Sequence, residues 1–132
     1  MLQTNHARNI EVVQNIQSVK CYLQEVRNLP KWTTFFSDVI ERKGNRYVMS
    51  TKIGKSQTWI ETEEKEEQVE LFICSIFPAK TEKATICLKP NGNRTNITFN
   101  LTVPPTITEE RLNAMLKNLE TEMSVLKLCL ER

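Results

Sequence analysis

Residues 96–132 read NITFNLTVPPTITEERLNAMLKNLETEMSVLKLCLER, and a change of periodicity within them decides the fold. The first eight residues alternate apolar and polar, which is typical of a strand in an antiparallel sheet with one face buried and one in water. Pro104 and Pro105 end the strand. The rest predicts one long amphipathic helix from about Ile107 to Arg132. Its apolar stripe consists of Leu112, Met115, Leu116, Leu119, Met123, Leu126 and Leu130.

The two periodicities also set the direction of individual side chains. A shift of one residue in the strand would turn every side chain to the opposite face. We expect Ile97, Phe99 and Leu101 to point inward and Asn96, Thr98, Asn100 and Thr102 to face solvent. On the helix we expect burial of Leu112, Leu116, Leu119, Met123 and Leu126. Thr106 and Glu109 have the spacing of a capping box that would begin this helix.

Upstream, the chain predicts strand after strand with almost no helical pattern. The predicted strands are 38–42, 46–53, 57–62, 69–77 and 83–89. Turn sequences separate them: KGN at 43–45, GKS at 54–56 and PNGNR at 90–94. Glycine and asparagine tolerate the positive φ angles that tight hairpin turns require.

The N-terminal part predicts a first strand over 8–14 and then two short helices. Asn15 offers a capping side chain for a helix whose inner face has the spacing 19, 22, 23, 26. Pro30 disfavours α geometry in the residue before it and fits the first turn of a second helix. That helix would carry Trp32, Phe35 and Phe36.

The order of these elements predicts a binding architecture. A strand, a short helical link, a run of strands and one long helix leave a single helix to cover a curved sheet. One helix cannot fill that concave face, so we expect an apolar cavity beneath it. Cavities of this kind bind small ligands.

The candidate cavity residues are aromatic or apolar side chains on segments that would face the helix. They are Trp32, Tyr47, Met49, Trp59, Phe72, Phe99, Met115, Leu119 and Met123. Core packing is the ordinary role of such residues, and indole N–H or phenol O–H groups add polar handles when they line a pocket. The pattern does not fix which face of strand 57–62 turns inward.

Composition argues against several classes of function. The chain has one histidine, one aspartate and three glycines, so a histidine-based triad, a histidine-rich metal site and a phosphate-binding glycine loop are disfavoured. We expect no metal and no cofactor. A net charge of +2 and an acidic run at 61–70 argue against nucleic acid.

The chain has the composition of a single globular domain, residues 1–132. The N-terminus lacks the apolar core of a signal peptide, and no apolar run approaches the ~18 residues of a membrane span. We therefore expect a cytoplasmic protein without stable membrane insertion. The four cysteines contain no CxxC pair, and we expect all four to be free thiols, a Cys74–Cys87 disulfide being the main alternative.

The sequence resembles the START-like, helix-grip superfamily (SRPBCC), in particular small bacterial members described as polyketide cyclase/dehydrase or lipid-transport-like. The likeness covers nearly the whole chain. The segments that carry it are Ile10–Val13, Val19–Leu23, NLPKW at 28–32, WIE at 59–61 after the Gly54 turn, the 90–94 turn before Thr98 and Phe99, and the closing Leu119–Glu131.

This resemblance implies an α+β fold: a seven-stranded antiparallel sheet curled around the long C-terminal helix, with two short helices after the first strand. Members of the superfamily bind lipids, sterols, polyketides or plant hormones, and some are cyclases, dehydratases or chaperone activators. They share no universal catalytic motif, so the resemblance assigns no catalytic residue.

The favoured function is non-enzymatic binding of a small, largely hydrophobic ligand, lipid- or polyketide-like, between the C-terminal helix and the sheet. Two alternatives stay open. A polyketide cyclase or dehydratase would need an ionisable group inside the pocket, and Tyr47 and an inward Glu61 are the candidates. A chaperone-activator-like interaction module would need a sizeable apolar patch on the outer face.

Overall fold

The fold is built on one sheet of seven strands, and a computed structural model describes it for residues 4–132. The strands are β1 (Thr4–Val12), β2 (Phe36–Lys43), β3 (Arg46–Thr51), β4 (Gly54–Glu64), β5 (Val69–Ile76), β6 (Thr81–Asn91) and β7 (Arg94–Val103). The helices are α1 (Ile16–Leu23), α2 (Leu29–Trp32) and α3 (Glu109–Leu130), and a 3-10 turn, Val26–Asn28, joins the first two.

Every strand pair is antiparallel, and the order in the sheet is β1-β7-β6-β5-β4-β3-β2. Strands β2 to β7 are therefore a meander, and β1 closes the sheet by pairing with the last strand. The helical link between β1 and β2 joins the two edges. Register shifts occur in β2, on either side of Asp38 and Val39, and such bulges bend an edge strand. The expected seven-stranded α+β helix-grip arrangement is confirmed.

Local sequence explains where the hairpins and helices begin. Gly44 and Gly92 have φ angles of 64° and 63°, which L-residues with a Cβ rarely adopt, and they form the tight turns β2–β3 and β6–β7. Asn15 caps α1, and its side-chain oxygen accepts a 2.9 Å hydrogen bond from the Ser18 backbone N–H. Pro30 lies in the first turn of α2, as the sequence predicts.

The register of β7 is confirmed. Ile97, Phe99 and Val103 are buried, and Asn100 and Thr102 are exposed. Asn96 and Thr98 also alternate outward but are half-buried, and Leu101 is half-buried on the inner face. The alternation therefore predicted correctly which face of the sheet each side chain takes. The two faces differ less in exposure than expected, because the flanking strands β1 and β6 cover part of each side chain.

Several predicted boundaries were wrong. β1 covers residues 4–12 and not 8–14, because it pairs with β7 along its whole length, from Thr4 opposite Val103 to Val12 opposite Thr95. Thr108, and not Thr106, caps α3: its side chain accepts a 3.2 Å hydrogen bond from the Arg111 backbone N–H. The helix begins two residues later than expected and ends at Leu130.

The other corrections concern turns. α2 ends at Trp32, so Phe35 lies in the loop after it and Phe36 begins β2. Gly54 already belongs to β4, since it pairs with Thr51, and the turn falls on residues 52–53. In both places the strand is longer than expected because its backbone pairs with a neighbouring strand. No local sequence pattern shows that pairing.

The inner face of the sheet packs against the C-terminal half of α3. Leu126 is fully buried, and Leu116, Met123 and Leu130 are nearly so. Leu112 and Leu119, which were predicted to be buried, are only half-buried, and Met115 is 37% exposed. The apolar stripe is thus packed toward the C-terminus of the helix and partly unpacked toward its N-terminus.

All four cysteines are free thiols. Cys74 lies opposite Lys83 in the β5–β6 ladder, whereas Cys87 lies opposite Glu70. The two cysteines are therefore four residues apart along the ladder, about 13 Å at 3.3 Å per residue, which is too far for a disulfide. Within residues 4–132, no helix is long and apolar enough to cross a membrane.

The packing of α3 predicts that truncating two leucines of this helix will change the free energy of unfolding by very different amounts. Leu126→Ala should lower the free energy of unfolding by about 2–5 kcal/mol, because it leaves a cavity in a fully packed site. Leu128→Ala, at a position that is 65% exposed, should change it by less than about 0.5 kcal/mol. Urea unfolding of both variants measures this, and equal losses would contradict the packing of α3 on the sheet.

Candidate ligand-binding cavity

A cavity of about 810 Å³ lies beneath the N-terminal half of α3. Three parts of the chain form its wall: α3, the segment from the end of α2 to the start of β2, and strands β5, β6 and β7. The lining residues are Met115, Asn118, Leu119 and Glu122 from the helix, Trp32, Thr33, Phe35 and Phe36 from the segment, and Ile73, residues 81–86 and residues 99–102 from the sheet.

The direction of α3 produces this space. Its C-terminal end is fixed to the end of β1: the Lys127 ammonium donates to the Glu11 carbonyl oxygen (2.9 Å), and the Val13 backbone N–H donates to Glu131 Oε2 (2.8 Å). Toward its N-terminus the apolar stripe is less buried, and the side chains of Met115, Leu119 and Glu122 border the cavity.

Aromatic rings form much of the wall. Trp32 and Phe99 meet edge to face, with ring centroids 5.8 Å apart. Phe35 contacts both Phe36 (5.1 Å) and Phe77 (6.1 Å) in the same geometry. Trp32 Nε1 is buried and has no hydrogen-bond acceptor among residues 4–132. The wall therefore suits apolar or aromatic ligand surface.

Glu122 is one of several polar residues in the cavity wall, and Thr33, Asn100, Thr102 and Asn118 are among the others. Its Oε2 accepts hydrogen bonds from the Thr34 backbone N–H (2.6 Å) and the Thr34 hydroxyl (3.3 Å), and Asn118 Nδ2 donates to the same hydroxyl oxygen (3.0 Å). These bonds tie α3 to the loop after α2. Burial raises the pKa of Glu122, while the Thr34 hydrogen bonds, the charge of Lys52 and the Phe35 backbone N–H lower it by less.

The structure places four of the nine candidate residues in the cavity wall: Trp32, Phe99, Met115 and Leu119. Tyr47, Met49 and Met123 are buried in the core instead, where the C-terminal half of α3 and the sheet pack together. Trp59 and Phe72 lie on the outer face of the sheet. The assignment of these five residues to the cavity is thereby corrected.

The outer position of Trp59 follows from the pairing of β4. Trp59 is opposite Cys74, and its neighbour Thr58 is opposite Ser75. Thr58 is fully buried and joins Ser56 and Ser75 in a chain of hydroxyl hydrogen bonds of 2.8 and 2.9 Å. Since these hydroxyls satisfy one another, Ser56 and Thr58 of β4 face inward and Trp59 faces outward.

On the outer face, cations cover the two rings. The Arg46 guanidinium lies 4.4 Å from the centre of the Trp59 ring, and Lys83 Nζ lies 4.3 Å from that of Phe72. Trp59 Nε1 donates to Glu61 Oε2 (2.8 Å). Glu61 is thus exposed on the outer face, and Tyr47 is in the core, so neither is the ionisable cavity group that a cyclase would need.

Glu122 was missed in the sequence analysis. It lies on α3 between Leu119 and Met123, at the border of the apolar stripe, where a glutamate ordinarily reaches solvent. Its position beside the apolar residues was the one feature of the sequence that could have indicated a place in the cavity wall. Residues 4–132 contain no cluster of three or more histidine, cysteine, aspartate or glutamate side chains placed to hold a metal ion.

Comparison with known proteins identifies the fold. No family model matches the chain, and no curated protein sequence matches it. Solved structures do match along nearly its whole length. A START superfamily protein from Mycobacterium smegmatis has 12% identity and a TM-score of 0.62, covering 96% of both chains.

Two further structures are similar. A STAR-related lipid transfer protein from Xanthomonas axonopodis has 9% identity and a TM-score of 0.70, covering 96% of this chain and 85% of that one. The Aha1 dimer from Colwellia psychrerythraea has 18% identity and a TM-score of 0.65, covering 99% and 97%. At these identities the similarity shows the fold alone. The chain has the START-like helix-grip fold, as its sequence resemblance implied.

The raised pKa of Glu122 predicts the effect of neutralising it. Glu122→Gln keeps an acceptor for Thr34 and removes the cost of a buried charge, so the variant should be at least as stable as the wild type at pH 7. A carboxyl whose folded pKa is raised favours folding when protonated. The difference in unfolding free energy between Glu122→Gln and the wild type should therefore narrow as the pH falls toward the ordinary glutamate pKa.

Chemical denaturation at several pH values measures this gap. Glu66→Gln, at an exposed site in the loop between β4 and β5, is the matched control: it removes a carboxylate that is not buried and should not stabilise the protein. A gap for Glu122→Gln that widens in acid would contradict the burial of this carboxyl.

Proposed function

We propose that this protein binds a small, largely hydrophobic ligand in the cavity beneath the N-terminal half of α3. The observation that carries the proposal is the cavity itself: about 810 Å³, bounded by the rings of Trp32, Phe35 and Phe99 and the side chain of Leu119. Small-molecule sites typically have volumes of about 300–1,000 Å³ and mostly apolar walls with few polar groups.

Burial of the ligand would supply most of the affinity. Removing about 300 Å² of apolar ligand surface from water contributes roughly 7 kcal/mol, before the entropic cost of association. This contribution alone corresponds to a dissociation constant of about 10 μM, and the entropic cost makes the binding by apolar burial weaker than that. Glu122, with its hydrogen bonds to Thr34, would set the orientation of the ligand and hold the adjacent loop in place.

Two of the similar structures support a hydrophobic ligand, since one is named for the START superfamily and one for lipid transfer. The support is by analogy of fold, because sequence identity to them is 12% and 9%. The cavity wall of this chain supplies the independent argument, since its rings and aliphatic groups suit an acyl chain or a fused-ring body.

Filling the cavity should test the proposal directly. Leu119→Trp adds volume to the wall and should weaken the binding of decanol by on the order of ten-fold or more, measured by isothermal titration calorimetry. Leu128→Trp, on the exposed side of the same helix, is the control and should bind as the wild type does. Circular dichroism checks that both variants fold.

The decanol experiment has two results that would contradict the proposal. If Leu119→Trp binds decanol as tightly as the wild type, the ligand does not occupy this cavity. If the wild type binds no decanol at all, the cavity is not a site for an apolar chain.

A further inference from the structure

We propose that the ligand of this cavity carries an amine at the end that meets Glu122, and not a carboxylate. The inference rests on the proposed function and names the chemical class of the ligand: an amine with a long apolar body. Three observations within residues 4–132 carry it: Oε1 of Glu122 accepts no hydrogen bond, that carboxylate has no ion-pair partner, and the ammonium of Lys83 points away from it.

The first observation is an incomplete set of hydrogen bonds. A carboxylate has two oxygens and about four acceptor positions. Oε2 of Glu122 takes both hydrogen bonds from Thr34, whereas Oε1 accepts none from residues 4–132. Because Glu122 lines the cavity, a ligand there can donate to Oε1. Such a donor needs an N–H or O–H group, which a carboxylate ligand lacks.

The second observation is that no ion pair among residues 4–132 neutralises the charge of Glu122. Lys52 lies close enough to lower the pKa of this carboxyl, but the two form no ion pair within 4 Å. The groups that donate hydrogen bonds to Glu122, the Thr34 backbone N–H and the Thr34 hydroxyl, are uncharged. A half-buried carboxylate in this position gains from a cation supplied by the ligand.

The third observation concerns the other charged residues of the wall, Glu82 and Lys83. Lys83 turns to the outer face of the sheet, where its ammonium covers the ring of Phe72 at 4.3 Å. Glu82 pairs with Lys80 at 2.8 Å. Among the charged side chains of residues 4–132 that line the cavity, none is therefore a cation directed at Glu122. An anionic ligand at this end of the cavity would meet the negative charge of Glu122.

A matched series of ligands separates this inference from the proposed function. Decylammonium, decanol and decanoate share one alkyl chain and differ in the head group. Titration calorimetry of the wild-type protein at neutral pH, below the concentrations at which micelles form, should give affinities in the order decylammonium, decanol, decanoate. We expect the first and the last to differ by at least about ten-fold, since a charge-assisted hydrogen bond replaces a repulsion.

Substitution identifies the group responsible. In Glu122→Gln the ratio of the decanoate and decylammonium dissociation constants should fall to near one. In Glu110→Gln, which removes the same charge from an exposed site on the same helix, the ratio should stay as in the wild type. The three ligands titrated into the wild-type protein test the inference even if neither variant folds.

Each result decides one of the two proposals. If decanol binds and decanoate binds as tightly as decylammonium, the amine inference is overturned and the proposed function stands. If the preference for decylammonium survives in Glu122→Gln, it arises elsewhere on the protein and the inference is again overturned. If none of the three ligands binds, the proposed function fails and the inference fails with it.

Discussion

The packing of the C-terminal half of α3 against the concave face of the sheet is the contact on which the rest of the structure depends. Met123, Leu126 and Leu130 anchor the helix in the core, and Lys127 and Glu131 fix its end to β1 and to Val13 beyond it. With one end held, a straight helix cannot follow a curved sheet along its whole length. The cavity beneath its other end is therefore a consequence of the packing, and the aromatic segment after α2 closes one side of that space.

Much of this architecture could be predicted from the sequence because its signals are local. The alternation in residues 96–103 fixed the direction of Phe99, and the turns at Gly44 and Gly92 located two of the hairpins. The inner face of β4 could not be predicted, because Trp59 and Ile60 are apolar neighbours on opposite faces. What decides between them is the buried Thr58 hydroxyl, which pairs with Ser75 on another strand. A polar residue facing inward reverses the ordinary rule, and only the β4–β5 pairing shows it.

The candidate site, too, has one part that the local sequence predicts and one part that depends on tertiary contacts. Leu119 and Met115 belong to an apolar stripe that any helical pattern shows, so they could be assigned to the cavity side in advance. Glu122 could not, because its burial depends on Thr34, which is 88 residues away in the chain. The loop that carries Thr34 reaches α3 only when the helical link has crossed from one edge of the sheet to the other. The position of this polar group is thus a tertiary property, whereas the apolar wall of the cavity is largely a property of the sequence.

The central claim is that the space left by α3 is a binding site and that the outer face of the sheet is not. Backbone amide correlation spectra recorded while decanol is added to the isotopically labelled protein test it most directly. The account predicts shift changes concentrated at Ile73, Ala84, Phe99 and Leu119, with Trp59 and Phe72 unaffected. Changes confined to Trp59, Phe72 and their neighbours on the outer face, or no changes at any concentration, would contradict it.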